Sequence, residues 1–279
     1  MKTITFILAL LFSSNLFSQG WKEYIAKNAL PVGNDLSPDS SIYAHFKNYK
    51  LILTGEMHGT LEPAKITEQL ARLILLNEDS VSIGLEIPEK EMSSFLQNPS
   101  EKALKESRFF SKPNEDGRNG KAWFDLIRYC MNEPRVQLFF YDNGTFGDPV
   151  PRDSTMYLEI KKQALAHPKN KILTISGNIH NQLIPFNKME TMGFYLSADS
   201  LLFPKDQICS IYHYYAEGTM LNDMGNGLEL TTIEFEASDF TSGPSENYFL
   251  FYESAEPTPN NCIFFTRKVH HSESLELKK

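Results

Sequence analysis

Residues 49–76 read YKLILTGEMHGTLEPAKITEQLARLILL. The first eight, YKLILTGE (49–56), form a compact apolar run that closes on Gly55 and Glu56, the pattern of a buried strand. From Pro63 the apolar positions Ile66, Leu70, Leu73 and Ile74 fall on one face of a helix. Thr60 and Glu62 stand just before Pro63, where a hydroxyl serves as a cap and a carboxylate and a proline suit a first turn. The stretch therefore reads as strand, turn, helix.

The unit recurs down the chain. VSIGLEIP (81–88) reads as a strand and EKEMSSFL as a short helix, followed by a polar loop, SKPNEDGRNG (111–120). GKAWFDLIRYCM (120–131) is helical, VQLFFYD (136–142) a strand, RDSTMYLEIKKQALAH (152–167) a helix and KILTISGNIH (171–180) a strand. Four apolar strands separated by helices predict an α/β fold, a mostly parallel sheet flanked by helices. After about residue 205 the runs ICSIYHYYAEG, LELTTIEF, NYFLFYE and NCIFFTRKV have no helices between them. They predict additional antiparallel strands that extend the sheet or cap it. Residues 19–269 thus read as a single domain, with a core at about 45–200 and a β-rich extension at about 205–269. Residues 270–279 (HHSESLELKK) read as a solvated tail.

The first 20 residues, MKTITFILALLFSSNLFSQG, carry a Lys, an apolar run and then small polar residues, the pattern of a secretory signal peptide ending near Ser18. The run is too short to span a membrane, and no Cys lies near the cleavage point to take a lipid. A periplasmic or secreted, soluble, unanchored protein is expected. Cys130, Cys209 and Cys262 are widely spaced and odd in number, so buried thiols are the default reading and one pair stays open. The composition is that of an ordinary globular chain, 279 residues with a formal charge of −8. That acidity argues against nucleic acid and anionic membrane surfaces as partners. A small-molecule or peptide substrate is the expected partner.

Polar groups gather at one edge. In a parallel sheet the carboxyl ends of the strands form the crevice where ligands bind. Glu56 and His58 follow the first strand, Glu86 ends the second, Asp142 the third and His180 the fourth. A single carboxylate or imidazole at a strand end is most often a cap or a satisfied structural group; the convergence of five points to a shared site. G-x-x-H occurs twice at the end of a β run, as GEMH and GNIH. Its glycine permits a sharp turn and close backbone approach.

GEMHGTLEP, GLEIP and SGNIH resemble, in order and spacing, the superfamily that joins erythromycin-esterase-like hydrolases, ChaN-like haem-binding lipoproteins and the TIKI/TraB proteins. The likeness covers roughly residues 45–200. The esterase branch implies a hydrolytic site at His58, Glu56, Glu86 and His180. The TIKI/TraB branch implies a metal-dependent protease centre at His58, Glu86 and His180. The ChaN branch implies haem or iron uptake without catalysis, for which YHYY (212–215) is the candidate contact, against its reading as alternate faces of a strand.

The residues themselves suit water activation. A histidine of ordinary pKa near 6.5 accepts a proton at neutral pH, and a carboxylate orients it. No G-x-S-x-G elbow is present, which argues against a covalent serine route. Two imidazoles with carboxylates also suit a divalent ion. Hydrolysis of an ester or amide by activated water is expected, with metal assistance left open. Arg118, Asp142, Arg152, Asp153 and Asn178 are the candidate substrate-binding residues, the arginines for an anionic group or oxyanion.

Overall fold

Leu51–Glu56 is buried along its whole length, because helices cover both faces of the sheet at its centre. The computed structural model describes residues 20–112, 116–143, 150–223, 228–235, 239–254 and 256–275; the expected signal segment lies outside them. Among the described residues nine strands form one sheet. They are β1 (Leu30–Val32), β2 (Leu51–Glu56), β3 (Val81–Leu85), β4 (Val136–Phe140), β5 (Lys171–Gly177), β6 (Ile208–Asp223), β7 (Leu228–Glu234), β8 (Asn247–Phe251) and β9 (Cys262–Val269). Their order is β1-β8-β9-β6-β2-β5-β3-β4, with β7 paired to β6.

Four helices connect the site-bearing strands: α1 (Glu62–Leu75), α2 (Lys121–Asn132), α3 (Arg152–Ala166) and α4 (Met192–Ala198). Alternation along the strands assigns them to faces. Ile52, Leu173 and Ile175 pack with Ile66, Leu70, Trp123 and Ile127 of α1 and α2. Leu51, Leu53 and Ile172 pack with Met156, Ile160, Met192 and Leu196 of α3 and α4.

β2, β5, β3 and β4 run parallel, as the sequence predicts. The C-terminal region differs from its purely antiparallel reading. β6 lies parallel to β2, and β9 parallel to β6, while β8 and β7 supply the antiparallel pairs. The YHYY run belongs to β6. His213 is buried and stacks on Phe264, and burial pushes its pKa down to about 3. Tyr214 packs on Phe240 from the opposite face. These side chains alternate between two core faces, as strand residues do.

Two local readings change. The Thr60 hydroxyl donates to the Met57 carbonyl rather than capping α1, whose N-cap is Leu61. The segment after Val269 is anchored at its start rather than solvated: His271 bridges to Thr60 and Ser272 is buried. All three cysteines are buried and free.

Candidate active site

β5 enters the sheet between β2 and β3, so the carboxyl ends of three strands meet there. Glu56 is the last residue of β2, Glu86 follows β3 directly, and Gly177 ends β5. Asp142 lies two residues past β4, and α3 opens with Arg152 and Asp153 above the same edge. Each of these positions is where a strand stops pairing and its side chains are free to converge.

Glu86 is the hub and is fully buried. Its Oε1 accepts from Arg118 Nη1 at 2.9 Å and from Arg152 Nη2 at 2.6 Å, and its Oε2 accepts from the Gly177 amide at 2.8 Å. Burial disfavours its charge. Arg118, with His180, His58 and Arg152, outweighs that and holds the carboxyl well below the usual carboxylate range.

The guanidiniums have further carboxylate partners. Arg118 donates from Nε and Nη2 to Asp116 Oδ2 at 2.9 and 2.6 Å, and from Nη1 to the Glu86 carbonyl at 2.9 Å. Arg152 forks onto Asp142, Nε to Oδ1 and Nη2 to Oδ2, both at 2.7 Å. Arg152 and Asp142 form a bidentate ion pair, and Arg118 sets two donors on one Asp116 oxygen, so the planes of both arginines are fixed.

Two imidazoles flank this hub, each held through Nδ1 by its own carboxylate. His58 Nδ1 lies 2.7 Å from Glu56 Oε1, and Glu56 Oε2 accepts from Trp123 Nε1 at 3.2 Å. His180 Nδ1 lies 2.9 Å from Asp153 Oδ2, which also accepts from the Met192 amide at 2.8 Å. His180 Nε2 lies 3.4 Å from Arg152 Nη1. In both rings the carboxylate places the proton on Nδ1 and leaves Nε2 as the working atom. Burial opposes the charge of His58, but Glu56, through its charge and hydrogen bond, more than offsets this and raises the pKa. Burial likewise opposes charge on His180, and Glu86 and the bonded Asp153 raise its pKa. The side chains of His58 and His180 keep 27% and 17% exposure, while Glu56 and Glu86 have none. Solvent therefore meets the imidazoles and not the carboxylates beneath them.

Gly177 sits between the rings. A Cβ there would lie 3.5 Å from His180 Cδ2 and His58 Cε1 and 3.6 Å from His58 Nε2. Those are ordinary contacts, so alanine fits, but its methyl occupies the space in front of the His58 working nitrogen. Gly177→Ala should therefore fold with a melting temperature within roughly 3 °C of the native protein. Any turnover should fall at least about tenfold; full activity in a folded variant would show that this space is not where chemistry occurs.

Of the residues selected by sequence, Glu56, His58, Glu86, Arg118, Asp142, Arg152, Asp153 and His180 converge here. Asn178 does something else. Its Nδ2 donates to the His213 carbonyl and its Oδ1 accepts from the His213 amide, so it ties the end of β5 to β6. Gly55 makes this tie fit, since a Cβ there would lie 2.1 Å from Asn178 Oδ1. Sequence reasoning missed Asp116 and Trp123. Asp116 precedes Arg118 by two in the DGR turn, a detectable pairing; nothing in the spacing of α2 marks Trp123 as the partner of Glu56.

A metal-like grouping is present but is not the trio of His58, Glu86 and His180. Glu56, His58 and Glu86 each bring a ligand-type atom within 4.8 Å of the others, a spacing that could hold an ion. The donor set fits a cation poorly. Both Glu86 oxygens are taken by N–H donors, Glu56 Oε1 holds His58, and two guanidiniums stand beside the position. A dication would meet that positive charge and displace these bonds.

No protein-family model and no curated protein matches the chain. Solved structures do. A Bacillus cereus protein is similar over 93% of this chain and 99% of its own, with a TM-score of 0.67 and 9% identity. A succinoglycan biosynthesis protein is similar over 92% and 98%, with a TM-score of 0.62 and 10% identity. An erythromycin esterase is similar over 87% and 97%, with a TM-score of 0.59 and 11% identity. At these identities the likeness is one of fold alone.

Proposed function

We propose that this chain is a hydrolase in which His58 takes a proton from a water molecule as that water attacks an ester carbonyl. The observation that carries this reading is the 2.7 Å contact between His58 Nδ1 and Glu56, which leaves Nε2 free on the partly exposed side. The paired carboxylate stabilises the imidazolium that forms, as in other His-carboxylate pairs. Attack makes a tetrahedral intermediate with a negative oxygen. Arg152 Nη1, 3.4 Å from His180 Nε2 on the far side of Gly177, supplies a donor for it. The His58 proton then passes to the departing alkoxide, and the carbonyl re-forms as acid product. Every step uses residues of this chain, and none is routed through a metal.

The same charges bear on substrate. Glu86, Asp116 and Asp142 already answer both guanidiniums, and Glu56 and Asp153 add two more carboxylates. This balance favours a neutral or cationic ester over an anionic one. The sequence of residues 1–18 supports action after export.

The test is a panel of esters, lactones and amides assayed with the native protein, His58→Ala and a chelator. The expected outcome is ester or lactone turnover that survives chelation and falls about 100-fold or more in the variant. Turnover equal in both proteins, or lost on chelation, would overturn this mechanism. A shifted Soret band on adding haem, without turnover, would favour the uptake reading.

A further inference from the structure

The chain end supplies a cap that α2 lacks. The N-cap residue of α2 is Gly120, which has no side chain to accept from the first-turn amides. Ser272 does so from 150 residues away: the Ala122 amide donates to its Oγ at 3.1 Å, and the Lys121 amide donates to the Glu273 carbonyl at 2.7 Å. Ser272 is 1% exposed, and a Cβ on Gly120 would come within 2.6 Å of its Oγ. Glycine at the cap position leaves room for the remote hydroxyl.

The same segment holds the other side of the site. The Ser272 amide donates to the Gly59 carbonyl at 2.9 Å, one residue after His58. His270 is fastened to Glu62, at the start of α1, by its amide at 2.9 Å and its Nδ1 at 2.8 Å. Thus residues 270–273 bridge the loop that carries His58 and the helix start that carries Arg118 before it and Trp123 within it. Those three side chains reach Glu56 and Glu86.

We infer that Ser272 is a positioning residue for the hydrolytic centre, acting through the first turn of α2 and the Gly59 loop. The inference rests on the hydrolase reading for its kinetic part. Ser272→Ala removes the acceptor and keeps the backbone bond to Gly59; Ser272→Thr keeps the hydroxyl.

The experiment measures kcat and KM on an ester accepted by the native protein, together with hydrogen exchange of the amides of residues 117–123. In Ser272→Ala, kcat should fall about tenfold with KM within about twofold, and exchange at Lys121 and Ala122 should quicken. Ser272→Thr should recover most of the kcat. Unchanged kcat in a folded Ser272→Ala protein overturns the inference, as does unchanged exchange. A native protein with no turnover on any ester, lactone or amide overturns the hydrolase reading instead, and is seen before any variant is made.

Discussion

Glu86→Gln is expected to lower the stability of the protein by about 3 kcal/mol and to abolish turnover. The substitution is close in size, so the effect is one of charge. It removes the carboxylate that Arg118 and Arg152 share and turns an amide N–H toward donors. Each arginine keeps a second partner, Asp116 or Asp142, which holds the loss near the lower end of the range for a broken buried ion pair. At this chain length the melting temperature should drop by roughly 6–12 °C. A melt within roughly 2 °C of the native one would contradict the hub role.

The acid limb of stability should change as well. The folded pKa of Glu86 is depressed, so its contribution is present above the carboxyl's unfolded value of about 4.5 and is lost as pH falls through the folded one. Melting temperatures taken downward from pH 5 should fall less steeply in Glu86→Gln than in the native protein.

Glu56→Gln has the second large effect. An amide in place of the carboxylate no longer stabilises the His58 imidazolium and no longer enforces the Nδ1 proton. The rate constant kcat/KM for an ester should fall about 100-fold to 10,000-fold. The pH profile gives a sharper reading. His58 works as a base when neutral, and its raised pKa places the acid limb of the native profile above 6.5. Without the Glu56 charge, burial is left as the largest influence, and the limb should move to lower pH. A limb that stays in place would mean that another group titrates in it.

Much of the fold was legible because β2, β3, β4 and β5 are continuous apolar runs and the helices between them have clean periodicity. The same regularity exposed the strand ends, and with them Glu56, His58, Glu86 and His180. What stayed hidden depends on pairing across long separations. β6 and β9 read as antiparallel because no helix separates the C-terminal runs, yet β6 joins the free edge of β2 in the parallel sense. Asn178 looked like a ligand residue from its place in GNIH, and only the adjacent β6 backbone turns it into a tie. Ser272 sat in a polar tail whose composition gives no sign of a buried partner.

The insertion of β5 between β2 and β3 bears on how function is gained and lost. Leu51 and Ile172 are neighbours across about 120 residues of chain. A chain with β2, α1 and β3 in place has Glu86 without the Gly177 amide, and the two imidazoles have no common floor. Closure of such distant contacts is slow relative to local helix formation. Activity should therefore emerge only with the completed sheet and disappear with its central strand, making turnover a direct reporter of global folding.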